Sequence, residues 1–317
     1  MGAGNAERGN CYGRGNMKIL DVITSPWAIM PDKYAEIQEI YFTHLRGEKI
    51  DIKGIEARIG KPLKNEPKTF DITNGVAILQ IEGIIAKRMS MFMDISGGTS
   101  IQNMERDFIQ AINDPEINAI ILNIDSPGGT VDGIQGFASM IYQARGKKQI
   151  VAYTDGMMAS AAYWIGSSAD RVYIAGDTTQ VGAIGVVAAH IDKSKAEEKI
   201  GIKTTEIVAG KYKRIASQYS PLTEEGRAYL QEQVDYFYSI FVDEIAKNRR
   251  VSPEKVAKEM SEGKVFFGKQ AIDVGLADGV STLSALIDQL GPRNSVRTTR
   301  AMVEARVGGI GNANSFT

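Results

Sequence analysis

The sequence predicts an α/β domain built on a mostly parallel sheet, and three observations predict it. Short apolar runs recur along the middle of the chain: VAILQIEG (76–83), AIILNID (119–125), IVAYT (150–154), RVYIA (171–175) and IGVVAA (184–189). Each is long enough for a buried strand and too short for a helix. Amphipathic stretches at 100–114 and 131–145 lie between the first three runs, and Gly or Pro punctuates the ends. Strands alternating with helices at this interval argue for right-handed βαβ units.

Taken in order, residues 1–16 carry five glycines and no periodicity and are expected to be a disordered tail. Met17 opens a more protein-like stretch, MKILDVITSPWAIMP, and is the expected natural start. Residues 17–70 form an N-terminal extension, with a helix over 32–45 on which Ile37, Ile40 and Tyr41 recur at helical spacing. Residues 46–70 are polar and Lys-rich and read as a connection. Ser100 is placed to cap a helix whose inner face is Ile101, Met104, Phe108 and Ala111. The strand at 119–125 runs into Ser126-Pro127-Gly128-Gly129, and a helix follows from about 131 to 145. After strand 150–154, the small-residue string around Ser160 reads as a helix start. The basic loop 211–220 precedes a long helix capped by Ser220 or Thr223, with Leu230, Val234, Phe237, Phe241 and Ile245 as its stripe. Ser252-Pro253 opens a short helix, and VFFG (265–268) with KQAIDVGLADGV (269–280) gives a strand and a small helix. Residues 291–317 hold no apolar face and read as a flexible tail, with self-cleavage there as a hypothesis.

The totals narrow the function. The 317 residues are 43% hydrophobic and 24% charged, with a net charge of −1, so nothing points to nucleic acid. No apolar run spans a membrane, and the Gly/Asn-rich start is not a secretory signal, so the cytoplasm is the expected compartment. One cysteine, Cys11, excludes an internal disulfide framework. With two histidines, His44 and His190, histidine-based catalysis and metal binding are tightly limited. His44 reads as a solvated helix end and His190, following a strand, as structural.

The chemistry left open is nucleophilic. Ser160, flanked by Ala159, Ala161 and Ala162 after an apolar strand, can be either a helix cap or an accessible nucleophile with the next N–H aimed at an oxyanion. Gly128-Gly129 is either a plain Pro-Gly turn or a strand end whose backbone N–H faces a cleft. Together they supply the hydroxyl and anion-binding amide that acyl transfer requires. With histidine scarce, lysine is the candidate base. At an ordinary pKa near 10.4 only about one in 2,500 is neutral at pH 7, so such a lysine must be tuned by its surroundings. The loop offers Lys211 and Lys213.

Five strings in register carry a resemblance: DSPGG (125–129), ASAAYWIGSSAD (159–170), VGAIGVV (181–187), GKYKR (210–214) and GKVFFGKQAIDVGLAD (263–278). Over roughly residues 75–290 the chain resembles the signal peptide peptidase A serine peptidases, and within them the phage and prophage capsid-assembly (head maturation) branch. The resemblance implies a crotonase/Clp-protease-like fold of repeated ββα units with a C-terminal helical region, and a Ser/Lys peptidase domain over 71–290. Position by position, Ser160 matches the nucleophile, Lys213 the general base and Gly129 the oxyanion donor, with the Ala161 N–H as its companion. Lys213 is preferred to Lys211 because the family places its base three residues after the glycine matching Gly210. Ser160-Ala161-Ala162-Tyr163 stands where many members read Ser-Gly-Gly-Tyr, which favours the phage branch and keeps both amides.

The resemblance further implies a homo-oligomer whose serine and lysine can come from neighbouring subunits, and protein substrates such as scaffold, portal or coat precursors; the sequence departs from the family in lacking an expected N-terminal membrane anchor, and no metal or organic cofactor is called for. The competing readings are a signal-peptide-peptidase-like protease, a crotonase-type acyl-CoA enzyme, or a non-catalytic head-assembly protein.

Overall fold

The computed structural model describes residues 26–45, 70–88 and 98–292. The disordered tail, the connection, the Met17 start and nearly all of the C-terminal tail expected from sequence lie outside these residues, as do the side chains of Ile40, Tyr41 and His44.

In chain order the elements are β1 (Trp27–Ile29), α1 (Pro31–Leu45), β2 (Asp71–Thr73), β3 (Val76–Ala86), β4 (Gly98–Ser100), α2 (Ile101–Asn113), β5 (Ala119–Thr130), α3 (Ile134–Ala144), β6 (Gln149–Thr154), β7 (Met157–Ala159), α4 (Ala161–Ser167), β8 (Arg171–Ile174) and β9 (Gln180–Gly182). Then follow α5 (Ser194–Lys199), α6 (Glu224–Arg249), α7 (Pro253–Lys255) running into a π-turn at Val256–Met260, β10 (Val265–Phe267), α8 (Lys269–Asp273), β11 (Gly279–Val280) and α9 (Leu283–Leu290).

β5 is the centre. Its first half pairs in parallel with β3 on one side and β6 on the other, and β6 continues in parallel to β8 and β11. At Ser126 the neighbour changes: Ser126 pairs with Met158 of β7, which leads in parallel to β9 and then antiparallel to β10. Two sheets therefore diverge from one strand, and the corner between them lies at the carboxyl end of β5. Alternation sorts the β5 side chains. Ile120, Leu122 and Ile124 join the main core, whereas Ala119 and Ile121 face a second cluster closed by Leu286 and Leu290 of α9. On the main-core side lie Phe108 of α2, Phe137 of α3, Trp164 of α4 and Phe241 of α6.

Several expectations need correction. Of the two readings left open for DSPGG, the turn fails and the strand end holds: the strand runs on to Thr130, with Gly128 and Gly129 held between β3 and β1. Residues 184–189 are not a strand. Gly182 (φ +110°) and Ala183 (φ +52°) turn the chain out of the ladder, and Val187 keeps a single bridge to Trp27. Ser100 occupies the cap position of α2 without a capping bond, its hydroxyl pointing to the Lys87 carbonyl instead. Thr223, not Ser220, caps α6 by accepting from the Gly226 N–H at 3.0 Å. In α6 the stripe is buried only toward its end: Phe241 and Ile245 are in the core, while Leu230, Val234 and Phe237 are half-buried.

Candidate active site

The corner at the end of β5 is built by a strand, a turn and a buried helix. Asp155-Gly156 turns the chain out of β6, and the Met157 N–H donates to Asp125 Oδ1 at 3.1 Å, tying the turn to β5. The short β7 that follows, unread from sequence, delivers Ser160 to the start of α4. Ser160 adopts φ 54°, ψ −119°, a region that costs a non-glycine residue about 1–3 kcal/mol. Its N–H donates to the Gly182 carbonyl at 2.7 Å and its carbonyl accepts from Trp164 N–H at 2.9 Å. The Ser160 hydroxyl makes no capping bond. It is 1% exposed and has no hydrogen-bond partner among the described residues. A strained, buried and unsatisfied hydroxyl is costly as a structural element and fits a reacting group.

The helix behind it is clamped. All of Ala161–Ser167 is buried, and Trp164 stacks on Phe241 of α6 at 4.4 Å between centroids. The Tyr163 hydroxyl donates to the Leu276 carbonyl at 2.9 Å, and burial pushes its pKa up. Arg145 donates to the carbonyls of Ser167 (3.0 Å), Ser168 (2.9 Å) and Ala169 (2.6 Å), the kind of carbonyl a helix end leaves without an intrahelical partner. Asn248 of α6 donates to Ser167 Oγ. Asp125 lies inside a string singled out from sequence; Arg145 carries no sequence signal, since its role depends on α3 ending beside α4.

Gly128 approaches Ser160 through backbone alone, and Gly129 packs against the backbone of Ile85. A Cβ on Gly128 would lie 3.0 Å from Ser160 Cβ and 2.3 Å from the Ala28 carbonyl oxygen, and φ is +106°. A Cβ on Gly129 would lie 1.8 Å from the Ile85 carbonyl oxygen. Only glycine fits there. Gly129→Ala is expected to destabilise the fold by about 3 kcal/mol, read as a lowered urea midpoint; an unchanged midpoint would refute the close approach. Beside this corner is a cleft of about 420 Å³ lined by Lys33, Glu82, Gly83, Asp125, Pro127 and Met157.

Thus Ser160, Ala161 and the Gly128-Gly129 strand end lie at one corner, and Lys213 makes no hydrogen bond to the Ser160 hydroxyl within one chain. Lys213 is exposed on a turn, its N–H donating to the Gly210 carbonyl at 3.1 Å. The loop itself is pinned: His190 Nε2 lies 2.8 Å from the Ser217 carbonyl, Arg214 pairs with Glu206 at 2.8 Å, and the Lys193 N–H donates to the Gln218 carbonyl at 2.7 Å. Lys211 pairs with Glu225, whose hydrogen bond and charge raise the lysine pKa and hold it protonated. That disfavours Lys211 as a base.

An α/β chain with a serine held at a strained strand-to-helix turn, beside the backbone of a Gly-Gly strand end, is of the class equipped for nucleophilic serine chemistry. Residues 143–297 match the model of peptidase family S49. Capsid assembly protease C of Escherichia phage lambda is 30% identical over 234 residues, 73% of this chain and 53% of that protein. The head-tail preconnector protein of Enterobacteria phage P21 is 29% identical over 224 residues, 71% and 44% of the two chains. A protein of Methanocaldococcus jannaschii that carries a protease name is 32% identical over 238 residues, 75% of this chain and 71% of that one. Among solved structures, a mutant Clp protease chain from Listeria monocytogenes aligns with a TM-score of 0.43 at 14% identity, covering 66% of this chain and 94% of that one. The chain belongs to peptidase family S49. It spans about half the length of the two phage relatives. No helix among the described residues is long and apolar enough to cross a membrane.

Proposed function

We propose that this chain is a serine endopeptidase that cuts protein substrates through an acyl-enzyme on Ser160. The observation that carries it is the buried, unpartnered Ser160 hydroxyl held at positive φ beside Gly128-Gly129. In the first step Ser160 Oγ bonds to the scissile carbonyl carbon while its proton passes to the neutral amine of Lys213. The carbonyl oxygen gathers charge facing the N–H groups of Gly129 and Ala161. The resulting ammonium then protonates the departing amine as the peptide C–N bond breaks. Water repeats the sequence on the ester, giving its proton to Lys213 and freeing Ser160.

Lys213 comes from a second copy of the chain. It stands on an exposed loop next to the half-exposed first half of α6, where Tyr236 is 63% exposed, and these surfaces suit a subunit contact. Mixing Ser160→Ala protein with Lys213→Ala protein is expected to restore up to about a quarter of wild-type peptidase activity if subunits pair at random, as counted by statistics over shared sites. No recovery above either variant alone would place both residues in one chain.

The names of the two phage relatives concern capsid assembly and the head-tail preconnector. We extend this to a role in processing scaffold, portal or coat precursors, in the cytoplasm of the host. A fluorophosphonate probe that labels the wild type and not Ser160→Ala supports the peptidase. A crotonase-type acyl-CoA enzyme or a non-catalytic assembly protein would leave Ser160 unlabelled.

A further inference from the structure

A strand of the same chain runs along the strand end beside Ser160. β1 runs antiparallel to the end of β5, with Trp27 opposite Thr130, Ala28 opposite Gly129 and Ile29 opposite Gly128. On its other edge Trp27 exchanges both backbone hydrogen bonds with Val187, at 2.8 Å each. Two bonds fix the parity of the β5 ladder: the Val131 N–H donates to the Pro26 carbonyl at 3.4 Å and the Met30 N–H to the Pro127 carbonyl at 3.0 Å. Hydrogen-bonded pairs alternate in an antiparallel ladder, so Ala28 and Gly129 form the bonded pair between these two. The Gly129 N–H therefore points at the Ala28 carbonyl. That oxygen and the Ser160 Cβ both crowd the place where a Gly128 side chain would stand, at 2.3 Å and 3.0 Å.

A peptide about to be cut needs this placement: an extended backbone, bonded on both edges, with one carbonyl on the oxyanion donor and beside the nucleophile. The groove also continues past the strand at both ends. Pro26 opens onto a hollow of about 370 Å³ shared with Thr130, Val131, Trp164 and Phe237, and the cleft of about 420 Å³ lies at the Pro127 end. The two large side chains of β1, Trp27 and Ile29, pack with Tyr34 and Ile37 of α1 in a small cluster apart from the main core, which only the methyl of Ala28 joins from this strand. Such a satellite can detach without unfolding the sheet.

We propose that Trp27–Ile29 is a built-in occupant of the substrate groove. An extended peptide pairs with the same two edges, Gly128–Thr130 and Val187, and displaces this strand to reach Ser160. The inference rests on Ser160 being the nucleophile and Gly129 the oxyanion donor, so its test uses no turnover. In full-length protein carrying Cys11→Ser and Ser160→Cys, the rate of alkylation by iodoacetamide reports whether position 160 is open. Adding Trp27→Gly removes the side chain that anchors the strand; adding Ala28→Pro instead removes the amide of the central bonded pair. Each is expected to speed alkylation by at least about tenfold at a temperature where the protein remains folded by circular dichroism. A synthetic peptide of residues 25–31 should slow it again. Either variant suffices if the other does not fold. Equal alkylation rates with and without the substitutions would overturn the proposal. Failure of the peptidase reading looks different: no fluorophosphonate labelling of Ser160 even in the Trp27→Gly or Ala28→Pro protein.

Discussion

Ser160→Ala is expected to lower peptide hydrolysis by on the order of 10⁶-fold, the loss seen when a serine nucleophile that works as a unit with its base is removed. Its stability should be unchanged or higher by about 1 kcal/mol. The two expectations share a cause. The Ser160 hydroxyl is buried and has no hydrogen-bond partner among the described residues, so deleting it ends the desolvation of an unsatisfied polar group. The backbone strain at φ 54° stays the same, because alanine meets the same Cβ clash as serine. A residue whose removal helps the fold and stops the reaction is the signature of a site kept for function. A loss of more than about 1 kcal/mol in urea unfolding would show that the hydroxyl has a structural partner, and retained hydrolysis would end the proposal. Lys213→Ala should match the loss of activity, while Lys211→Ala, which removes an exposed cation already paired with Glu225, should leave turnover largely intact.

How much of this was legible depended on how local each feature is. The strands at 76–86, 149–154 and 171–174 show in the sequence because two-sided burial makes them apolar runs. Ser160 and Ala161 stood out in one string of small residues and Gly129 in another. The reason for the strings, a positive-φ serine and a carbonyl 1.8 Å from a missing Cβ, is a tertiary fact. β1 was not legible at all. Trp27-Ala28-Ile29 has no alternation to mark a strand, and its partners lie about a hundred residues away. The segment 184–189 was misread for the opposite reason: its residues suit a strand, but the turn at Gly182-Ala183 denies it a ladder. The capped helix α9 was missed because eight residues give a weak period, although Thr282 accepts from the Ala285 N–H as a cap should. Lys213 was singled out over Lys211 only by resemblance, because nothing among the described residues of one copy buries its side chain or pairs with it.

The second large effect lies behind the site. Asp278 accepts from the Val172 N–H at 2.7 Å and from Arg249 at 2.9 Å, with Arg171 at 3.3 Å. Arg249 also donates to the Gly275 carbonyl at 2.9 Å and is 9% exposed in its side chain. This cluster joins α6, β8 and the loop whose Leu276 carbonyl holds the Tyr163 hydroxyl, three residues after Ser160. Asp278→Asn leaves Arg249 buried without its counter-charge and is expected to cost about 3–5 kcal/mol at neutral pH.

The same pair sets an acid response. Burial acts to raise the Asp278 pKa, but the Arg249 bond and charge, the Val172 N–H and Arg171 more than offset it and hold the carboxyl below its usual range. A carboxylate with a depressed folded-state pKa contributes stability that is fully present above the unfolded value, near 3.9. That contribution fades as pH falls from about 4 through the folded-state value. Wild-type protein should therefore lose more of its urea midpoint between about pH 4.5 and 3 than Asp278→Asn does, so that the two curves converge in acid. Parallel curves would mean that Asp278 is no more tightly held folded than unfolded. In that case the loop carrying Leu276, and with it the buried helix that presents Ser160, must be fixed by packing alone.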